Sequence, residues 1–200
     1  MRPIDASEAT AVARRTFDET IGLHQRVSAG ASPEVAKAAA LIVASLASGG
    51  KVLAFGNGGS AADAQHLVAE LVGRFQRDRG GFAAIALTTD TSVLTSVAND
   101  YGFERVFARQ VEALGRAGDV AVAISTSGES PNVAAGVDAA HTRDMQVVAL
   151  TGRNGGRVGA RADVHLNVPH ASAARVQEVH RTLIHAICEI VEMAGGEDGR

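Results

Sequence analysis

The sequence has no tryptophan, one cysteine and only 4% aromatic residues. Because large rings are scarce, small aliphatic side chains must fill the core, which favours closely packed helices and strands. The one thiol, Cys188, lies in an apolar run and has no partner for an internal disulfide, which indicates a buried cysteine and a reducing, cytoplasmic compartment. A chain of 200 residues is long enough for one domain with a real core and short for two.

Long apolar runs and an excess of positive charge are also missing. No stretch approaches about 18 apolar residues without a charge. The start, MRPIDASEATAVARR, lacks the uninterrupted apolar segment of a signal peptide. The formal net charge is −3 and the signs are interspersed, so there is no basic stripe for a nucleic-acid backbone. We therefore expect neither a membrane nor a nucleic acid as a partner.

After residue 50, five short β-rich runs alternate with helical stretches. The runs are KVLAF (51–55), AAIAL (83–87), DVAVAI (119–124), QVVAL (146–150) and DVHLNV (163–168). Because they are nearly all apolar rather than alternating, helices should cover both faces of the sheet. The sequence therefore predicts an α/β fold, a three-layer αβα sandwich with a five-stranded parallel sheet.

The first 50 residues are predicted to form two helices that pack against other subunits. Ser32 as N-cap and Pro33 at the first helical position would open the second helix, which Gly49 and Gly50 would close.

A single domain should thus occupy residues 1–200. Its αβα core would span 51–193, with a last helix from Ser172 to Met193, and 194–200 would be a frayed tail.

Two of the predicted strands end in similar loops. GNGGSA follows KVLAF, STSGES follows DVAVAI, and a helix follows each loop. Ligands of open α/β sheets bind beyond the carboxyl ends of the strands, so these loops should form two walls of one site. The glycines permit a tight turn before the unpaired N–H groups of a helix, and the four hydroxyls of the second loop can surround a phosphate. Plain turns, with Ser130 only capping its helix, are the alternative.

Neither loop fits the nucleotide-binding or dinucleotide-binding glycine patterns, which favours a monophosphorylated small molecule. Further along, His66 and Glu70 are four residues apart on one helical face. They could transfer protons or bind a metal, or form an ordinary solvated pair. On the last helix Gln177, His180 and His185 are candidates, and spacing alone does not choose between the two histidines.

Four segments, FGNGGSAADAQHLVAELVGRF, AISTSGESPNV, VALTGRNGG and RVQEVHRTLIH, resemble the phosphoheptose isomerase branch of the SIS (sugar isomerase) family. The likeness runs in the same order from Lys51 to Val191. It implies a flavodoxin-like SIS fold and a homotetramer with sites at subunit interfaces. It also implies a ketose–aldose isomerase that converts sedoheptulose 7-phosphate to D-glycero-D-manno-heptose 7-phosphate through an enediol, the first step of nucleotide-activated heptose biosynthesis.

The resemblance also implies roles for single residues. Glu70 would be the base and His185 the partner acid/base. Zinc would be held by His66, Glu70, Gln177 and His185. The residues implied to line the substrate site are Asn57, Gly58, Gly59, Ser60, Glu70, Asn99, Asp100, Ser125, Thr126, Ser127, Ser130 and Gln177. Of these, the four serines would hold the phosphate.

The family pattern leaves His180 as a packing or neighbouring-subunit residue. No motif surrounds the remaining histidines, which are expected to be structural or at the surface: His24, His141, His165 and His170. Ala174 departs from the pattern, because some relatives carry Asp there. A contact to a sugar hydroxyl is therefore expected to be missing.

Two other functions are compatible with parts of the sequence. TRDMQVVALTG and ARQVEALGRAGDV also resemble non-catalytic SIS proteins that bind the bacterial replication initiator. Those relatives lose the residues matching Glu70 and His185, and both are present here, so an enzyme is favoured. A sugar-phosphate sensor of a transcription regulator would need a DNA-binding module, and the first 50 residues contain no basic recognition helix.

Overall fold

The computed structural model describes residues 2–195. The helices are α1 (Ala6–Ala47), α2 (Gly59–Val72), α3 (Thr91–Tyr101), α4 (Ala108–Leu114), α5 (Pro131–Thr142), α6 (Gly156–Gly159) and α7 (Ala173–Ala194). The strands are β1 (Val52–Gly56), β2 (Ala84–Ala86), β3 (Val120–Ser125), β4 (Gln146–Gly152) and β5 (Val164–Val168). Most of the predicted tail, residues 196–200, lies outside the described residues.

All five strands are parallel and follow the order β2-β1-β3-β4-β5. Every residue of β1 and β3 is buried, as expected for a sheet that is covered on both faces. Val52 and Ala54 face a cluster formed with α1, α2 and α7, whereas Leu53 and Phe55 face a cluster formed with α3, α4 and α5. The predicted three-layer sandwich with five parallel strands is confirmed.

The N-terminal region is helical as expected, but it forms one continuous helix rather than two. Pro33 lies inside α1, and the Ser32 hydroxyl donates to the Ser28 carbonyl one turn back, at 3.4 Å, instead of capping a new helix. Proline removes one backbone hydrogen bond from a helix interior. Buried residues on both sides of it, Val27 and Val35, join the same core cluster, so tertiary packing keeps the helix continuous.

Helix α1 ends as predicted, because Gly49 adopts a positive φ of 78° just beyond it. Among the described residues it is also the one helix that is long and apolar enough to cross a membrane, with an 18-residue window of mean hydropathy 1.2. Such a window can include up to two charged residues, so it is compatible with the lack of a long charge-free run. Core helices of soluble proteins and signal sequences meet the same criterion; 28% of this window is buried, and α1 packs along α7 and β5.

Candidate active site

The two glycine- and serine-rich loops lie side by side at the carboxyl edge of the sheet. They follow the adjacent strands β1 and β3, in which Gly56 pairs with Ile124. A Cβ atom on Gly56 would lie 2.6 Å from the Ile124 carbonyl oxygen and 2.9 Å from the Ser60 Cβ, so no larger residue fits. Gly58 has a φ of 56°, a backbone conformation that glycine adopts readily. The glycines therefore bring the start of α2 close to the loop after β3.

The hydroxyls after β3 form a cluster. Ser125 Oγ lies 3.0 Å from Ser130 Oγ and 3.4 Å from Ser127 Oγ. The N–H groups of Gly128 and Glu129 donate to Ser125 Oγ and Ser127 Oγ at 3.2 and 3.1 Å. Ser130 precedes α5 but makes no side-chain capping bond to it. Three hydroxyls thus converge at a helix N-terminus, which is an arrangement suited to an anion.

An asparagine pair that the sequence analysis missed joins the two loops. Asn57 Nδ2 donates to Asn132 Oδ1 at 2.8 Å, and Asn132 Nδ2 donates back to Asn57 Oδ1 at 2.9 Å. Asn132 follows directly after Pro131 at the start of α5. The sequence places the two residues 75 positions apart, and no local pattern links them.

A second cluster lies between α2 and α7. His66 Nε2 is 2.8 Å from His185 Nε2 and 3.4 Å from a Glu70 carboxylate oxygen. The three side chains are half-buried, and one ligand atom from each lies within 4.8 Å of the others. The ring of Phe75 packs against His185 at a centroid distance of 5.5 Å. An imidazole pair next to a carboxylate can exchange protons or bind a metal ion.

Burial and a nearby positive charge favour the neutral form of His66. Burial, followed by the nearby Arg181 guanidinium, lowers the pKa of His66, although the Glu70 carboxylate opposes both effects. Arg181 is itself held by the buried Asp63, whose Oδ1 accepts from Nε and Nη2 at 3.0 and 2.6 Å. Neutral His66 has a nitrogen lone pair available for a proton or a metal.

Among the described residues, no hydrogen bond joins Gln177, the fourth implied zinc ligand, to this cluster. Its side-chain amide packs against Gly59 at the start of α2, where an added Cβ would lie 2.3 Å from Gln177 Nε2. His185 is two helical turns further along α7, about 12 Å away along its axis. Gln177 lines a cavity of about 550 Å³ that Ala174 and Arg181 also line. An aspartate at position 174 would place a carboxylate at this cavity, whereas Ala174 offers no polar group there.

Asn99 and Asp100 lie on the exposed last turn of α3. The Asn99 amide donates to the Asp100 carboxylate at 2.8 Å, and no hydrogen bond among the described residues joins the two to either loop. Thr126, also implied to line the substrate site, is half-buried beside the serine cluster. The structure thus brings the loop residues together, and no hydrogen bond in the described part of the chain links the pair on α3 to them.

The other histidines have contacts of a structural kind. His180 is fully buried and donates from Nε2 to the Thr151 carbonyl at 2.9 Å. The other four histidines also contact nearby protein groups. His24 contacts Thr20 and Thr182, and His141 contacts Asp163. His165 contacts Thr151, and His170 contacts Ser172.

A parallel αβα sandwich with two adjacent loops after β1 and β3 matches a known class of domain. Residues 17–152 match the SIS domain family. A phosphoheptose isomerase from Methylibium petroleiphilum is 53% identical over 183 residues, covering 90% of this chain and 92% of the relative.

Two solved structures match along nearly their whole length. A phosphoheptose isomerase from Neisseria gonorrhoeae is 51% identical with a TM-score of 0.88, covering 92% of this chain and 99% of that one. A phosphoheptose isomerase from Francisella tularensis is 38% identical with a TM-score of 0.89, covering 92% and 98%.

The fold and the loops therefore define a SIS domain of the sugar-phosphate isomerase class. Within that class, the chain belongs to the phosphoheptose isomerase branch. The resemblance predicted from the sequence is confirmed.

Proposed function

We propose that the protein converts sedoheptulose 7-phosphate to D-glycero-D-manno-heptose 7-phosphate, the first step of nucleotide-activated heptose biosynthesis. The observation that carries this proposal is the cluster of His66, Glu70 and His185 in a chain that also has two anion-binding loops. One part supplies groups for proton transfer, and the other suits a phosphate. Relatives that share about half of the sequence are named phosphoheptose isomerases, which supports the same substrate here.

The reaction moves one proton from C1 to C2 and another between the two oxygens, through an enediol. Glu70 removes the proton from C1 and returns it to C2. His185 donates a proton to the carbonyl oxygen O2 as the enediol forms and accepts the O1 proton as the aldose carbonyl forms. A carboxylate beside an imidazole suits this division of roles. The serine cluster and the N-terminus of α5 hold the phosphate.

Zinc fits the donor set of the cluster. His66, Glu70 and His185 would hold it from one chain, because two imidazole nitrogens and a carboxylate oxygen are common zinc ligands. Gln177 belongs to the proposed set as a weak ligand that the structure places at Gly59. When bound, the metal would polarise the substrate carbonyl.

The proposed assembly is a homotetramer with sites at the subunit interfaces. Phe17 and Ile21, one turn apart on α1, are 67% and 56% exposed, which leaves an apolar surface to be covered. His66 also lies about 9 Å along α2 from Ser60 in the first loop. A sugar phosphate that reaches both must therefore extend along this helix, or the two parts of its site must come from different subunits. Asn99 and Asp100, exposed on α3, could contribute to a neighbouring site. A cytoplasmic location stays a prediction from the single, buried cysteine.

The two binding functions are less well supported. A protein that only binds the replication initiator would not need Glu70 and His185 beside each other, and here they share one cluster. The sugar-phosphate sensor alternative requires a DNA-binding module, and the described N-terminal region is one helix that packs on the SIS core.

The direct test is purified protein with sedoheptulose 7-phosphate, followed for formation of the aldose. Unphosphorylated sedoheptulose is the matched control, because it keeps the carbonyl and lacks the group that the loops would bind. Turnover of the phosphorylated sugar alone supports the proposal. Binding without turnover would contradict it and favour a binding protein.

A further inference from the structure

A buried carboxylate near the end of α7 organises the segment that follows α2. Glu192 is 5% exposed, and its carboxylate accepts the consecutive backbone N–H groups of Phe75, Gln76 and Arg77 at 3.0, 2.9 and 3.0 Å. A charge at this depth is costly unless donors surround it, and three amides do so here. The segment 73–82 is therefore folded around Glu192.

Arg79 completes this arrangement and binds the helix that carries Glu70. Its buried Nε lies 3.5 Å from the Glu192 carboxylate. Nη2 donates to the Glu70 carbonyl at 2.7 Å, and Nη1 donates to the Leu71 carbonyl at 2.9 Å. Both carbonyls belong to the last turn of α2, where no later N–H of the helix can reach them. The guanidinium thus caps the turn that bears Glu70.

Phe75 connects the same segment to the other proposed catalytic group. Its backbone N–H is fixed by Glu192, and its ring packs on His185 with an angle of 40° between the planes. His185 thus contacts both the Phe75 ring and His66 Nε2. Glu192 lies seven residues after His185 on α7 and is linked to this ring through Phe75.

We infer that Glu192 is a positioning residue that orients His185 through Phe75 and Glu70 through Arg79. This inference rests on the proposed function for the roles of Glu70 and His185. The ionised state of Glu192 is consistent with it: burial raises the pKa of this carboxyl, but the hydrogen bonds from Gln76, Arg77 and Phe75 outweigh burial and lower it overall.

The test uses Glu192→Gln, which keeps the size but removes the charge and turns an NH₂ group toward the backbone N–H donors. Glu189→Gln, an exposed glutamate on the same helix, is the matched control. The first readout is the chemical shift of the His185 ring protons in histidine-labelled protein without substrate, because the Phe75 ring shifts these signals. Phe75→Leu defines the shift expected when the ring is absent.

In Glu192→Gln the His185 signals should move toward their Phe75→Leu positions. The second readout is isomerase kinetics, in which kcat should fall about 10-fold to 100-fold, as expected when reacting groups are misplaced. KM should stay within about twofold, because the phosphate loops are not touched. Glu192→Asp keeps the charge and should recover part of both losses.

Unmoved His185 signals and unchanged kcat in folded Glu192→Gln would overturn the inference. The inference would also be overturned if the loss of kcat were proportional to the fraction of unfolded protein and were not recovered in Glu192→Asp. If Glu192→Gln does not fold, Phe75→Leu decides, because it leaves the Glu192 contacts in place: unchanged kcat would overturn the link to His185. An inactive wild-type protein would instead refute the proposed function, while the His185 signals still report on positioning.

Discussion

Asn57 and Asn132 exchange two amide hydrogen bonds and thereby tie the loop after β1 to the loop after β3. Asn132 is 3% exposed, and its Oδ1 also accepts the Val133 N–H at 3.0 Å. Replacing Asn57 leaves polar groups of the buried Asn132 unpaired, and replacing Asn132 leaves the half-buried amide of Asn57 without its partner. The pair is therefore a rigid link rather than a surface contact.

Asn132→Ala should weaken phosphate binding. Loss of this partly buried link costs about 1–3 kcal/mol, which corresponds to roughly a 5-fold to 150-fold rise in the dissociation constant if the loops separate. Calorimetric titration with inorganic phosphate measures this, with Asn154→Ala, an exposed asparagine, as the control. The double variant with Asn57→Ala should bind about as weakly as either single one. Additive losses would show that the two residues act separately.

Ser130→Ala should weaken phosphate binding while leaving the free energy of unfolding nearly unchanged. The reason is that the Ser130 hydroxyl joins the serine cluster and makes no capping bond to α5. Phosphate titration and urea unfolding of the same variant separate the two roles. If Ser130→Ala lost about 1 kcal/mol of stability and kept its affinity, the serine would be a helix cap.

Glu70→Gln and His185→Gln should each lower turnover by about 100-fold or more in folded protein. Glutamine keeps approximate size and hydrogen-bonding capacity but cannot act as a base at neutral pH. Turnover of sedoheptulose 7-phosphate is the measurement, with Glu189→Gln as the control.

Zinc content and substrate affinity must be measured on the same samples, because Glu70 and His185 belong to the proposed zinc set. An inactive variant that retains both supports proton transfer. Near-wild-type turnover in both variants would remove the catalytic assignment.

The sequence predicted the sheet and the loops well, because their signals are local. A run such as DVAVAI has to be buried on both faces wherever it lies, and glycines before a helix mark a tight turn. Continuity of α1 through Pro33 was missed, because packing on both sides of the proline outweighs one lost hydrogen bond. Local helix propensity does not include this contribution of tertiary packing.

The positioning contacts were missed for a different reason. Glu192 binds the N–H of Phe75 across 117 residues, and its partner atoms are backbone groups that any sequence would offer. No pattern of residues in the sequence predicts such a contact. The family resemblance likewise paired Gln177 with His185, a choice that helical spacing had left open, and the packed structure places the Gln177 amide at Gly59.

Cys188 should be unreactive in the native protein. Burial, and secondarily the charge of Glu70, raise the pKa of its thiol to about 12, so thiolate is scarce at neutral pH. We expect no reaction with an aromatic disulfide reagent at pH 8 on the time scale of minutes, and full reaction in denaturant. Rapid reaction of the native protein would show that the region between α2 and α7 opens easily.

Stability should fall in mildly acidic solution because of His180. Burial lowers the pKa of this histidine, although its hydrogen bond to the Thr151 carbonyl and the charge of Asp63 oppose the effect. The folded state therefore binds a proton less readily than the unfolded state, whose pKa is about 6.5. Between these two pKa values the unfolded state carries more protons, so the free energy of unfolding increases with pH there.

The stabilisation is thus fully present above about pH 6.5 and is lost as the pH falls through the pKa of the folded state. Urea unfolding at intervals between pH 5 and pH 8 measures the slope. His180→Gln can keep a donor to the Thr151 carbonyl and does not titrate, so the free energy of unfolding should change less with pH in this variant. The pH dependence that remains comes in part from His66 and His165, because burial also lowers their pKa values. His141→Gln, at a more exposed histidine paired with Asp163, is the control. An equal slope in wild type and His180→Gln would mean that His180 gains its proton without cost to the fold.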